Sequence, residues 1–159
     1  AERLLLTRAF ECASRAAAPS ACLPPALRGL PRRPALVLGT GKAAASMAVA
    51  FHEHWDAPVR GFVVTRYEHG LKAGESAGAI DVVEAGHPSP DSASVAAGAR
   101  LLELAKGVRP EELLCCLISG GGSSLAAQPL PMITFEQKRK IKRSKISTVY
   151  VIYFDSSNK

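Results

Sequence analysis

One segment constrains the fold more than any other: residues 113–125, which read LLCCLISGGGSSL. The six consecutive apolar residues Leu113–Ile118 are typical of a central parallel strand that is buried on both faces. Glycines and serines follow at once; glycine accepts the positive φ angles that turn successive N–H groups toward an anion, and serine hydroxyls add donors. The pattern predicts a strand that ends in a phosphate- or anion-binding loop, with a flexible linker as the alternative. The candidate ligand contacts are Ser119, Gly120, Gly121, Gly122, Ser123 and Ser124.

Apolar strand patterns and helical patterns alternate through most of the chain. Strands are predicted over Ala35–Leu38, Gly61–Thr65, Ile80–Glu84 and Leu113–Ile118, and helices over Lys42–Trp55 and Ser92–Lys106. This order predicts an α/β sandwich with a mainly parallel sheet.

The two ends of the chain have different patterns. Residues 2–17 have apolar side chains at helical spacing with charges on the other side, and a proline-punctuated loop is predicted next, with prolines at 19, 24, 25, 31 and 34. Near the other end, Thr134 and Gln137 form a capping-box pattern. A basic run follows, and then Ile146–Phe154, a β-prone stretch without an obvious partner strand and with a high risk of aggregation.

The net charge of +6 suggests a nucleic-acid partner until it is divided along the chain. Residues 1–136 contain 13 basic and 13 acidic side chains, whereas residues 137–159 contain seven basic and one acidic. A neutral body lacks the distributed basic face that a nucleic-acid binder needs, so no such partner is expected.

Membrane and export signals are not expected either. No segment approaches the ~20 apolar residues of a membrane span. The N-terminus lacks the pattern of a secretory signal, and Glu2 and Glu11 argue against a transit peptide. The four cysteines have neither CxxC nor zinc-ligand spacing, and buried free thiols in a reducing compartment are expected. We therefore expect a cytoplasmic protein, with the mitochondrion as the alternative compartment.

A second candidate site is the strand–turn–helix segment LVLGTGKAAASM, residues 36–47. Gly39 and Gly41 would let the backbone turn, and Lys42 would lie in the first helical turn, where N–H groups and the helix dipole attract anions. The segment is neither a P-loop nor a complete dinucleotide fingerprint. The segment is equally consistent with a lysine that binds an anion and with a solvated lysine on a tight turn.

A third candidate site is EAGHPSPD, residues 84–91, at the carboxyl end of the third predicted strand. His87 and Asp91 stand where open α/β sheets bind ligands. Capping of the next helix is the favoured interpretation of Asp91, while His87 is equally consistent with a ligand contact and with exposure on the turn. A Ser/His/Asp hydrolase ranks low, because the GxSxG elbow is not present.

Taken together, GTGKAAASMA, EAGHPSPD and LISGGGSSL, in this order and spacing, closely resemble the N-terminal domain of the glycerate 2-kinase (MOFRL) family, some members of which are called hydroxypyruvate reductase. The resemblance covers roughly residues 1–140. It implies a Rossmann-like three-layer domain, here incomplete, of an enzyme that uses ATP and Mg²⁺ to phosphorylate D-glycerate in a cleft between two domains.

The resemblance also implies roles for the candidate residues. Lys42 would contact glycerate or the transferred phosphate as the catalytic lysine, and Ser119–Ser124 would bind substrate or phosphate. His87 and Asp91 would belong to the same site. Phosphoryl transfer requires positioning and charge neutralisation more than a covalent nucleophile, so these residue types suit it.

The family pattern stops after about Arg139. We therefore expect a glycerate-kinase-like domain over residues 1–139 and a divergent basic, β-prone tail over residues 140–159. The chain alone is expected to have little kinase activity. The alternatives are a non-catalytic module that binds anions or sugar phosphates and an interaction protein whose tail pairs with a partner's sheet edge. The sequence does not define an oligomeric state.

Overall fold

A computed structural model describes residues 2–129, 132–140 and 150–154. The helices are α1 (Glu2–Ala16), α2 (Pro19–Leu27), α3 (Ala44–Glu53), α4 (Ser92–Lys106), α5 (Gly122–Leu125) and α6 (Phe135–Lys140). The strands are β1 (Ala35–Thr40), β2 (Val59–Arg66), β3 (Ile80–Ala85), β4 (Leu113–Ile118) and β5 (Tyr150–Phe154).

The described strands form one sheet in the order β3-β2-β1-β4-β5. Strands β1 to β4 run parallel, as the alternation of strands and helices predicts, with Ala35 opposite both Val59 and Leu113. Because these strands share one direction, their carboxyl ends meet along a single edge of the sheet.

Helices cover both faces of the sheet, which confirms the three-layer sandwich. On one face, alternate strand residues such as Val37 and Leu117 pack with Met47 and Phe51 of α3 and with the leucines of α2. On the other face, Leu36, Leu38, Phe62 and Val64 pack against α4 and α5. The period-two alternation of strand side chains supplies both cores from the same strands.

The predicted proline loop is wrong between residues 19 and 27, where the chain forms α2. Pro19 stands in the first turn, which tolerates proline, but Pro24 and Pro25 lie inside the helix. Leu23 and Leu27, one turn apart, are each only 1% exposed and pack against α3 and the sheet. Helices in proteins are held mainly by such packing, so this burial outweighs the hydrogen bonds that the prolines cannot make.

Three boundaries or environments also differ from the predictions. Strand β1 continues through Gly39 to Thr40, and α3 begins at Ala44, so Lys42 lies in the turn before the helix. Strand β4 is buried fully on one face only, because α4 lies over the other strands and leaves Leu114, Cys116 and Ile118 half-buried.

Helix α1 forms as predicted, yet none of its residues is buried. Its apolar side chains Leu4, Leu5, Leu6 and Phe10 are 60–73% exposed. Cys12 of α1 and Cys22 of α2 are exposed as well, which corrects the expectation of buried thiols for these two, whereas Cys115 is buried and Cys116 is half-buried; all four cysteines are free.

The tail strand has a partner within the chain, contrary to the sequence analysis. Strand β5 pairs antiparallel with β4, with Tyr150 opposite Ile118 and Phe154 opposite Leu114. The rest of the predicted strand, residues 146–149, and most of the basic run lie outside the described residues. The capping box is confirmed: the amide of Thr134 donates to Gln137 at 2.8 Å, and the amide of Gln137 donates back to the Thr134 hydroxyl at 3.1 Å.

Candidate functional site

The three candidate segments meet at the carboxyl edge of the parallel sheet. The turn after β1, the loop between β3 and α4 and the glycine loop after β4 all leave strands at this edge. Open α/β sheets bind their ligands there. The topology therefore places the sequence-predicted residues in one region.

Hydrogen bonds extend the pairing of β1 and β4 into the two turns. The Ser119 amide donates to the Thr40 carbonyl, and the Lys42 amide donates to the Gly120 carbonyl, both at 3.0 Å. The Ser119 hydroxyl accepts from the Ala43 amide at 3.1 Å, at the start of α3. Ser119 is only 3% exposed, so its hydroxyl holds the two turns together from inside the protein and is shielded from solvent.

Gly41 is required by the closeness of these turns. Its φ of +135° is a conformation that L-residues rarely adopt, and a Cβ there would collide with the hydroxyl of Ser119. Gly39 lies within β1, where a Cβ would come 2.8 Å from the Val63 side chain. These two predicted ligand contacts act in the structure as close-packing positions.

The glycine loop differs from the predicted run of positive φ angles. Only Gly121 has a positive φ, +90°, while Gly122 begins the short helix α5. The Thr40 hydroxyl donates to the Gly122 carbonyl at 3.0 Å, which fixes the loop to β1.

The two flanking serines have different environments. Ser124 is 1% exposed, and its hydroxyl donates to the Pro88 carbonyl at 3.1 Å. Its proton is thus committed to a backbone contact, which disfavours a Ser/His/Asp triad at this residue. Ser123 is exposed and available to a ligand.

Lys42 and His87 converge on Gly121. A Cβ placed on Gly121 would lie 2.7 Å from both Cδ2 and Nε2 of His87 and 3.5 Å from Cγ of Lys42. Lys42 is exposed and, among the residues that the structure describes, forms no ion pair. The side chain of Lys42, the imidazole of His87 and the backbone of Gly121 therefore lie together at this edge of the sheet, a set of groups suited to an anion.

Asp91 caps α4, as the sequence analysis favours. One carboxylate oxygen, Oδ1, accepts from the Ser94 amide at 2.9 Å, and the Asp91 amide donates to the Ser94 hydroxyl at 3.2 Å. Desolvation alone would raise the pKa of Asp91, but hydrogen bonds from Ser94, Tyr67 and Gly86 outweigh it and lower the pKa to about 2. Asp91 is thus an ionised structural carboxylate.

Tyr67 is a site residue that sequence reasoning missed. It follows the last residue of β2, and its hydroxyl donates to the other carboxylate oxygen of Asp91, Oδ2, at 2.8 Å. The available signal was its position: an aromatic residue with a polar tip directly after a parallel strand, at the ligand-binding edge.

The described part of the chain contains no grouped set of potential metal ligands. Among residues 2–129, 132–140 and 150–154, no three His, Cys, Asp or Glu side chains are grouped as a metal site. We assign no residue of this chain to a metal ion.

No helix of the described part has the length and apolarity to cross a bilayer.

These features define an α/β domain whose candidate anion-binding loops cluster at the carboxyl edge of its parallel sheet. Residues 5–147 match the family model described as "Domain of unknown function (DUF4147)". The chain belongs to this family, the N-terminal domain of glycerate 2-kinases of the MOFRL type.

Named relatives agree with the family assignment. The chain is 37% identical to a "Putative hydroxypyruvate reductase" of Agrobacterium vitis, over 92% of this chain and 33% of that protein. It is 38% identical to the "D-glycerate 2-kinase" of Thermotoga maritima, over 67% of this chain and 25% of that protein. A crystal structure of glycerate kinase from Thermotoga maritima matches with a TM-score of 0.63 and 34% identity, over 79% and 30% of the respective chains. The chain spans a quarter to a third of the length of these relatives.

Proposed function

We propose that this chain forms the phosphate-binding wall of an enzyme that phosphorylates D-glycerate with ATP and Mg²⁺. The observation that carries the proposal is the convergence of Lys42 and His87 on Gly121 at the carboxyl edge of the sheet. The names of the relatives support glycerate as the substrate.

The chemistry of the wall suits phosphoryl transfer. Lys42 is exposed and carries a positive charge, and its side chain lies beside the backbone of Gly121, against which the His87 ring also packs. Such groups position a phosphate and neutralise its charge, which is most of what this reaction requires of a protein. When bound, Mg²⁺ would add charge neutralisation at the phosphates of ATP.

Binding of inorganic phosphate tests the wall directly. Lys42→Ala should weaken phosphate binding by about tenfold, because it removes one charge-assisted contact. Lys106→Ala is the matched control, since it removes the same charge in the last turn of α4, near the amino edge of the sheet, and should leave the affinity unchanged. Equal affinities in both variants would refute the assignment of Lys42.

Turnover is a separate question, to be tested by a coupled assay with ATP, magnesium and D-glycerate. We expect the 159-residue chain alone to show little or no turnover, because the family resemblance implies a cleft between two domains. Turnover comparable to a full-length relative would contradict that expectation. Hydroxypyruvate with NADH should be assayed in parallel, because one relative carries the reductase name.

The alternative function is a non-catalytic module that binds anions or sugar phosphates. A chimera separates the two: residues 5–139 would replace the matching N-terminal part of the Thermotoga maritima enzyme. Kinase activity in the chimera that is lost on Lys42→Ala would support the kinase. Phosphate binding without turnover in a folded chimera would favour the module.

A further inference from the structure

Tyr67 is half-exposed, yet its hydroxyl makes a specific hydrogen bond to the carboxylate of Asp91. Its side chain is 49% exposed and contributes to neither core cluster. Its hydroxyl nevertheless donates to Oδ2 of Asp91 at 2.8 Å, across the edge from the end of β2 to the start of α4. The contact raises the pKa of Tyr67, as expected when the phenol proton is held by a carboxylate.

Capping of α4 does not require this contact. The Oδ1 oxygen of Asp91 already accepts from the amide of Ser94 at 2.9 Å and from its hydroxyl at 3.0 Å. The two carboxylate oxygens thus have separate partners: one holds the helix and the other holds Tyr67. Removal of the phenol hydroxyl should leave the helix cap in place.

Asp91 also contacts the backbone next to His87. A backbone hydrogen bond from Gly86 is among the causes that lower the pKa of Asp91. A Cβ on Gly86 would lie 2.9 Å from both Cγ and Oδ2 of Asp91, so the oxygen that receives Tyr67 is also the one against Gly86. On the other side of His87, the Pro88 carbonyl is held by Ser124.

We infer that Tyr67 is a positioning residue, which acts through Asp91 and Gly86 to hold His87 against Gly121 in the anion site. The inference deepens the proposed function and rests on it for the identity of the ligand. In this role Tyr67 fixes the carboxylate of Asp91, which lies against the backbone of the loop that carries His87.

Tyr67→Phe tests the inference, because it removes only the hydroxyl. Three quantities are measured on the whole chain: hydrogen exchange of the Gly86 amide, the NMR shifts of the His87 ring, and the affinity for inorganic phosphate. We expect faster exchange of the Gly86 amide and shifted His87 resonances. Phosphate binding should weaken by about three- to tenfold. This is a small effect for the loss of a hydrogen bond to a charged group, because the site is partly exposed. Helix α4 should keep its protection, because the Ser94 cap remains.

Ala96→Gly is the control for a merely structural effect. Ala96 is exposed on α4. Glycine at this position should lower the free energy of unfolding at least as much as Tyr67→Phe does, without changing the contacts of Asp91. The midpoint of unfolding should fall in this variant, while Gly86 exchange relative to global stability, the His87 shifts and the phosphate affinity stay at wild-type values.

Each outcome decides one question. Unchanged Gly86 exchange and His87 shifts in Tyr67→Phe would overturn the positioning role. Changed shifts with unaltered phosphate affinity would also overturn it, because the loop would then move without consequence for the site. If the wild-type chain binds no phosphate, the proposed function fails, while the first two measurements still show whether Tyr67 positions His87.

Discussion

Asp91 should make the stability of the chain depend on pH in the acid range. Its ordinary pKa of 3.8 falls to about 2 in the folded chain, so folding favours the ionised form. The resulting stabilisation is fully present above about pH 4 and is lost as the pH falls through 2. Asp91→Asn should be less stable than wild type by about 1–2 kcal/mol at pH 7, since it loses charge-assisted hydrogen bonds but keeps the cap shape.

Urea unfolding of wild type and Asp91→Asn between pH 7 and 2 measures this effect. The difference in free energy of unfolding should be constant down to about pH 4 and should shrink toward pH 2. The pKa of Glu112 is also lowered, by its hydrogen bonds with Arg60, but both proteins share that contribution and it cancels. A difference that does not change with pH would contradict the role of the ionised carboxylate.

Gly121 permits a second comparison at the level of single residues. Gly121→Ala should suffer both from the positive φ of +90° and from crowding, because its Cβ would lie 2.7 Å from His87. Gly74→Ala is the matched control: its φ is +85°, and a Cβ there meets nothing within 4 Å. The left-handed backbone should cost each variant about 1–2 kcal/mol.

Thermal unfolding and phosphate titration then separate strain from crowding. Gly121→Ala should lose at least about 1 kcal/mol more than Gly74→Ala, and it alone should weaken phosphate binding. Equal losses of stability with unchanged binding would show that His87 does not pack against the loop in solution.

Residue roles could be predicted from sequence only where local chemistry determines them. Asp91 stands directly before an apolar helical pattern, so its capping role follows from its neighbours alone. The roles of Ser119 and Tyr67 depend on partners that are distant in sequence, Ala43 and Asp91, and no local pattern specifies those contacts. The sequence therefore predicted Ser119 as a ligand contact, where the structure buries it as a support.

At the level of elements, α1 and α2 allow a paired test of burial. Leu27→Ala in α2 should destabilise the chain by about 2–5 kcal/mol, because Leu27 is 1% exposed in the core. Leu6→Ala in α1 makes the same chemical change at a side chain that is 70% exposed and should change stability by less than about 0.5 kcal/mol. Chemical denaturation of both variants measures the contrast; similar losses would mean that α1 packs against the chain.

The same helices show why elements were predicted unevenly. Strands β1 to β4 and helix α4 have strong periodicity with clear end signals, and the sequence located them to within two residues. Helix α2 contains three prolines, and only its tertiary burial reveals why it forms. Strand β5 was predictable as a β-prone segment. Its pairing with β4 was not, because it depends on how the whole sheet is arranged and not on the local sequence of either strand.

At the level of the whole molecule, the two edges of the parallel sheet are built differently. At the amino edge, Glu112 is 3% exposed and accepts two hydrogen bonds from Arg60, at 2.6 and 2.7 Å. Such a bidentate pair satisfies both charges and links β2 to the start of β4. At the carboxyl edge, Lys42 stays exposed and forms no ion pair among the described residues. Stabilising charge pairs and the charge predicted to bind a ligand thus lie at opposite ends of the same strands.

The contacts that hold the glycine loop also bear on the order of folding. They join Thr40 to Gly122 and Ala43 to Ser119, residues 82 and 76 positions apart in the chain. Contacts of such separation carry a large entropic cost of loop closure and slow the folding of a chain that depends on them. The site exists only where β1 and β4 are paired, and an anion that binds there would stabilise such forms over the unfolded chain. The apparent affinity for phosphate would then fall in proportion to the fraction of molecules in which these two strands are paired.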